Sequence, residues 1–177
     1  MRIISGTHKG KRLVAPKSLP VRPTTDFAKE GLFNILNHRL VFSEIRVLDL
    51  FAGTGSISFE FASRGTTEIT AVDADFGCTK FITKISTELG FDIAVVKSDV
   101  QKFLDRSMGH YDLIFADPPY AIDSGALEKV ITAIFQNQWL AEEGLLIVEH
   151  PKQKDLASWP HFLESRKYGS SVFSFFQ

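Results

Sequence analysis

A chain of 177 residues, 44% hydrophobic and 23% charged, is long enough to bury one full core and has an ordinary globular balance. A formal net charge of −1 excludes a uniformly polyanion-seeking surface, and no apolar run approaches the ~20 residues needed to cross a bilayer. The single cysteine, Cys78, excludes an intrachain disulfide and a cysteine-ligated zinc cluster, and it reads as a small core or helix residue.

The charge is unevenly placed. Residues 1–30 hold Arg2, Lys9, Lys11, Arg12, Lys17, Arg22 and Lys29 against Asp26 and Glu30, a net +5 on a body of −6. Such a segment is either a local anion-binding face or a solvated arm. Arg2-Ile3-Ile4 and Arg12-Leu13-Val14 read as the short strands of a basic hairpin around Ser5–Gly10. Residues 15–23, APKSLPVRP, form a proline-punctuated linker. Thr24, Thr25 or Asp26 then caps a helix with apolar positions at Ala28, Leu32, Phe33, Ile35 and Leu36, ending near Arg39. The N-terminus lacks the apolar core of a signal peptide, so a cytoplasmic location is expected.

From residue 45 the pattern repeats. Ile45–Phe51, Glu68–Val72, Ile93–Val96, Tyr111–Ala116 and Leu145–Val148 read as buried strands. Helices run to about Ser63 and over Phe76–Leu89, Val100–Leu104 and Gly125–Phe135. Apolar strands alternating with helices predict a parallel sheet covered on both faces. The tail differs: Phe162–Tyr168 and Val172–Phe176 flank a Gly-Ser-Ser turn as an antiparallel hairpin. The expected fold is α/β and Rossmann-like, a seven-stranded, mostly parallel sheet with an antiparallel terminal strand. This is the layout of the S-adenosylmethionine-dependent (class I) methyltransferases. Residues 1–23 would be a basic extension of a single domain over 24–177, with no internal repeat.

Pattern alone leaves a dinucleotide-binding domain open, and the strand ends decide against it. Asp49-Leu50-Phe51-Ala52-Gly53-Thr54-Gly55 closes the first strand, and Gly53 and Gly55 would let backbone N–H groups approach a ligand. Ser58 stands where a dinucleotide fingerprint needs its third glycine. Asp49 suits a carboxylate facing a methionine amine. Asp73, ending the second strand, can accept from both hydroxyls of an adenosine ribose, while Asp75 reads as a helix cap. Asp99, after the third strand, can accept the adenine amino proton. Each aspartate alone has an ordinary explanation; three at successive strand ends around a GxG point to S-adenosylmethionine, with S-adenosylhomocysteine as product.

The fourth strand ends in Phe115-Ala116-Asp117-Pro118-Pro119-Tyr120. Two prolines cannot continue a central strand, but they fix the backbone where open α/β sheets bind ligands. An exocyclic base amine is a poor nucleophile because its lone pair is delocalised. Asp117 and the Pro118 carbonyl can accept its two protons and aim the lone pair, and Tyr120 can stack on a base drawn out of its stack. Glu149-His150-Pro151 follow the fifth strand, where they line the substrate pocket or are ordinary strand-end groups. His38, His110, His150 and His161 lack metal-ligand spacing and read as surface or strand-end residues, and no metal is expected.

With these motifs in place, the chain resembles the bacterial small-subunit ribosomal RNA guanine-N2 methyltransferases, the RsmD family. The resemblance runs through RIISGTHKGKRL, Arg22-Pro23-Thr24-Thr25-Asp26, Lys29–Asn34, VLDLFAGTGSISFEFASRG, AVDAD, SDV, YDLIFADPPY and YGSS. It implies N2-methylation of guanine 966 of 16S RNA, in the usual RNA numbering, within an assembled subunit. A monomer is expected. The resemblance also implies cofactor roles for Asp49, Gly53, Gly55, Asp73 and Asp99, and catalytic roles for Asp117, Pro118 and Tyr120. Lys9, Lys11, Arg12, Arg22 and Thr24 become RNA-contact candidates. The chain departs from the family at His8, where an aromatic such as tryptophan is usual, and at Phe27 and Lys29, where basic residues, commonly arginines, are usual. Lys84 and Ile85 occupy the place of a common asparagine. The competing readings are an amino-methyltransferase of another RNA or of DNA, a protein glutamine methyltransferase, and a non-catalytic RNA-binding assembly factor.

Overall fold

The computed structural model describes residues 1–16, 18, 19, 24–106 and 109–177. Seven strands form one sheet: β1 (Arg46–Leu50), β2 (Glu68–Asp73), β3 (Ile93–Lys97), β4 (Tyr111–Ala116), β5 (Leu140–Pro151), β6 (Phe162–Tyr168) and β7 (Ser171–Phe176). Their order is β3-β2-β1-β4-β5-β7-β6. β1 to β5 run parallel, and β7 lies antiparallel between β5 and β6. Strand order therefore reverses between β1 and β4, opening a crevice at their carboxyl ends. The five longer helices are α1 (Asp26–Leu36), α2 (Ser56–Ser63), α3 (Phe76–Leu89), α4 (Val100–Arg106) and α5 (Ser124–Gln136).

The strands read as continuous apolar runs because both faces are covered. Val47, Ile69, Leu113, Phe115 and Ile147 pack with Leu32, Phe33, Phe59 and Ile82 of α1 to α3. The alternate residues Leu48, Leu50, Val72, Ile114 and Leu146 pack with Leu104, Leu127 and Ile134 of α4 and α5. Each such buried side chain contributes about 1.5–3 kcal/mol. Cys78 is buried in α3, and burial pushes its thiol up to about 12. No helix among the described residues is long and apolar enough to cross a membrane.

Three elements depart furthest from the sequence expectation. α1 begins behind Thr25, whose hydroxyl accepts from Ala28 N–H at 3.2 Å, but it ends at Leu36 rather than near Arg39. β5 begins at Leu140, five residues early: a register shift against β4 admits the polar Glu142-Glu143-Gly144, which conceals a strand from any apolar-run criterion. The two N-terminal strands reduce to one antiparallel bridge, Arg2 to Arg12, flanked by Ile3 N–H donating to Lys11 O, Gly10 N–H to Ile3 O and Leu13 N–H to Met1 O. The expected linker falls partly on Lys17 and residues 20–23, outside the described residues.

The N-terminal segment is fastened to the body by a buried polar hub. Glu60 of α2 is fully buried and accepts from Ile4 N–H at 2.7 Å, Ser5 N–H at 3.0 Å and Arg64 Nε at 2.9 Å. Lys29 of α1, 1% exposed, stands 3.8 Å from the Glu60 carboxylate and donates to Arg2 O at 2.7 Å and Ser56 Oγ at 3.1 Å. Burial lowers its ammonium pKa, with Glu60 opposing the shift. Gly6 completes the attachment: at φ +81° its Cα rests against α2, where a Cβ would stand 1.7 Å from Ser63 O.

Candidate active site

At the crevice between β1 and β4 lies a cavity of about 430 Å³. Its wall combines the turn after β1 with the ends of β2, β3, β4 and β5 and the residues just before α1.

The chain leaves β1 through Phe51, a non-glycine residue at φ +59°, and passes Gly53 at φ +54° and Gly55 at φ +75°. Ala52 N–H donates to Val72 O at 3.0 Å, and Gly53 N–H donates to Asp73 Oδ2 at 2.7 Å. Asp73 Oδ1 accepts from Asp75 N–H at 2.8 Å. The Asp73 carboxylate thus holds the glycine turn against the end of β2 while lining the cavity. Asp75 caps α3, accepting from Cys78 N–H at 2.9 Å. Asp99 accepts from Lys102 N–H at 3.0 Å in the first turn of α4 and also lines the cavity, so its capping and ligand-facing readings coexist.

The pleat sets the acids of the other wall. Asp49 is registered with Phe115, and Phe115 with Ile147. Alternate residues share a face, so Asp49, Asp117 and Glu149 project to the same side from three adjacent strands, with Asp117 and Glu149 one pleat beyond Asp49. Asp49 is 2% exposed, and its Oδ2 accepts from Ser58 N–H at 3.1 Å and Ser58 Oγ at 2.5 Å. Burial raises its pKa to about 7 against the opposing Ser58 hydrogen bonds, with Asp73 adding repulsion. Asp117 N–H donates to Leu50 O at 3.3 Å, pinning the Asp-Pro-Pro-Tyr turn to the end of β1. Burial first, then the charges of Glu149 and Asp49, hold the Asp117 carboxyl well above the usual range. Glu149, 2% exposed, accepts from Thr24 Oγ1 at 2.8 Å. Pro118 is buried in the wall, and Tyr120, 41% exposed, stands at its rim.

Over residues 1–177 the chain matches the family described as conserved hypothetical protein 95. It belongs to that family. It is 34% identical over 161 residues to ribosomal RNA small subunit methyltransferase D of Escherichia coli, covering 90% of this chain and 79% of the relative. It is 36% identical over 162 residues to the putative rRNA methyltransferase YlbH of Bacillus subtilis, covering 88% and 85% of the two chains. Among solved structures, the putative methyltransferase yhhF from Escherichia coli superimposes with a TM-score of 0.86 at 30% identity, over 100% of this chain and 97% of that one. The sheet order and the closing antiparallel strand are those of the class I methyltransferase fold.

Within this family fold, Asp49, Gly53, Asp73, Asp99, Asp117, Pro118 and Tyr120 gather around one cavity. Gly55 stands apart from its lining: its constraint is the left-handed backbone, and a Cβ there would lie 2.9 Å from Ile82 and 3.1 Å from Phe59 on the core side. Thr24 is separated from the basic side chains, buried in the cavity wall with Glu149. Lys9, Lys11 and Arg12 are exposed on the N-terminal segment. Arg2, Arg12, Thr24 and Thr25 share a shallow depression, which puts the basic segment next to the cavity wall. Arg22 lies outside the described residues. Lys29 is an internal strut rather than a surface cation. His150 is buried as well as strand-end, its Nε2 2.7 Å from Ser174 Oγ.

Glu149 is the site residue that apolar-run reading leaves at the edge. It belongs to β5 itself, and the available signal was its place two residues beyond Ile147 on the inward-facing alternation.

Proposed function

We propose that the chain transfers a methyl group from S-adenosylmethionine to the N2 amine of a guanine in small-subunit ribosomal RNA, guanine 966 in an assembled subunit. One observation carries the reading: a single cavity joins the glycine turn, Asp73 and Asp99 to Asp117, Pro118 and Tyr120. The relatives named as small-subunit RNA methyltransferases support the RNA class.

The residues suit the donor. Asp73 and Asp99 each retain acceptor capacity beyond their loop hydrogen bonds, as ribose hydroxyls and an adenine amine require. Asp49 offers a buried carboxylate for an ammonium. When bound, S-adenosylmethionine supplies an electrophilic methyl group, the new N–C bond forming as the C–S bond breaks to leave S-adenosylhomocysteine.

The chain's own groups prepare the amine. Asp117 carboxylate and Pro118 carbonyl accept its two N–H protons, favouring a pyramidal nitrogen with its lone pair directed away from them. The prolines and the Asp117–Leu50 hydrogen bond keep these acceptors in place, so little reorganisation is needed during reaction. Tyr120 at the rim provides a stacking face for the extruded base. The proton lost on methylation is taken up at Asp117 or by water beside it. Lys9, Lys11 and Arg12 supply phosphate contacts, which position the RNA without reading its sequence.

The test is transfer of labelled methyl groups to unmodified small subunits, free small-subunit RNA and duplex DNA, followed by nucleoside analysis. N2-methylguanosine at one site in the subunit is the expected product. Asp117→Ala should retain cofactor binding and lose about 10²–10⁴-fold in transfer rate. Transfer by that variant at the unaltered rate would remove the assigned role.

A further inference from the structure

We propose that Glu149 is the specificity-determining residue that selects guanine, by accepting the N1–H of the base whose N2 amine is held by Asp117. The inference rests on the guanine-N2 reading above and names how the same cavity chooses its base.

Two edges must meet, that of the base and that of the pocket. The Watson–Crick edge of guanine carries N1–H beside the N2 amine, a continuous row of donors. Adenine and 2-aminopurine present a bare N1 lone pair in the same place. A pocket that accepts only the N2 protons would bind guanine and 2-aminopurine alike. A second acceptor beside the first reads N1–H directly, and a carboxylate there repels an N1 lone pair.

The sheet supplies that second acceptor. Asp117 extends β4 and Glu149 lies on β5; the pairs Phe115–Ile147 and Ala116–Val148 bring the two acids into adjacent positions on one face. Glu149 is 2% exposed, so its position is set by packing rather than by a mobile side chain. Thr24 Oγ1 donates to its Oε2 at 2.8 Å and steers the carboxylate toward the cavity both residues line. A carboxylate has about four acceptor directions, and the Thr24 bond occupies one of them.

The experiment compares small subunits assembled on RNA with either guanine or 2-aminopurine at the modified nucleotide. Both bases carry the N2 amine, and only guanine has N1–H. The unaltered enzyme should favour guanine in kcat/KM by at least about tenfold. Glu149→Gln keeps the shape and an acceptor for Thr24, and its amide can donate to a bare N1. In that variant the preference should fall to about threefold or less, or invert, while S-adenosylhomocysteine affinity stays unchanged. A purely structural role, or an effect on Asp117 ionisation, would lower both substrates together and leave the ratio intact; that result overturns the inference. Equal use of the two bases by the unaltered enzyme overturns it as well. A product other than an N2-methylated guanine would refute the guanine-N2 reading itself, a failure visible in the unaltered enzyme alone.

Discussion

Lys29→Met removes the ammonium while keeping an unbranched side chain of similar length. Two donated hydrogen bonds are lost, to Arg2 O at 2.7 Å and Ser56 Oγ at 3.1 Å, together with the attraction to Glu60. Removing one partner of a buried pair generally costs about 3–5 kcal/mol, because the other charge is left uncompensated. Glu60 here keeps Ile4 N–H, Ser5 N–H and Arg64, and the protein no longer desolvates an ammonium. The expected loss is accordingly smaller, about 2–3 kcal/mol. In a chain of this size each kcal/mol lowers Tm by roughly 2–4 °C, so Tm should fall by about 4–12 °C. Urea unfolding at unchanged m-value measures the loss, and RNA binding by the folded variant should remain close to that of the unaltered chain. Stability within about 0.5 kcal/mol of the unaltered chain, combined with weakened RNA binding, would refute the strut and make Lys29 a surface contact.

The raised Asp49 pKa of about 7 means that the free protein binds an extra proton there, so this contribution to stability is lost as pH rises through about 7. A ligand ammonium favours the ionised form, so S-adenosylhomocysteine affinity should strengthen between pH 6 and 8 by up to about tenfold, and Asp49→Asn should flatten the profile. A flat profile in the unaltered protein would sink the assignment. Gly6→Ala places a Cβ 1.7 Å from Ser63 O at a left-handed φ, so the N-terminal segment should detach and the Ile3, Gly10 and Leu13 amides should exchange faster. Unchanged protection would show that the contact is dispensable. Charge reversal at Lys9, Lys11 and Arg12 together should weaken RNA binding, lower the slope of log affinity against log salt by about 2, and spare cofactor affinity. An unaltered salt slope would remove these three residues from the RNA interface.

The alternation of apolar strands and helices was legible in order and type because a parallel sheet covered on both faces leaves little choice of residue. β5 was legible only in part: Glu142 and Glu143 break the apolar run, and pairing with β4 across a register shift is a long-range event. The aspartates that line the cavity were legible because strand ends concentrate polar groups at the crevice, and the Asp-Pro-Pro-Tyr turn because two prolines after a buried strand have few structural uses. Gly55 shows the limit of such reading. Both glycines of the turn adopt the left-handed backbone, but Ile82 and Phe59 press on one of them from the core.

By itself the sequence determined the parallel sheet, the acidic strand ends and the basic N-terminus, since these follow from local composition and period. The tertiary structure alone decided which charges meet. Lys29 belongs to a run of N-terminal cations, but it turns inward because Glu60, 31 residues further along, is buried opposite it. Thr24 and Glu149 are 125 residues apart and share a hydrogen bond in the cavity wall. Glu149 stands beside Asp117 because β5 pairs with β4 in a register that no local signal encodes. The energy of a buried charge depends on its partners, and partners at this separation exist only once the sheet has formed.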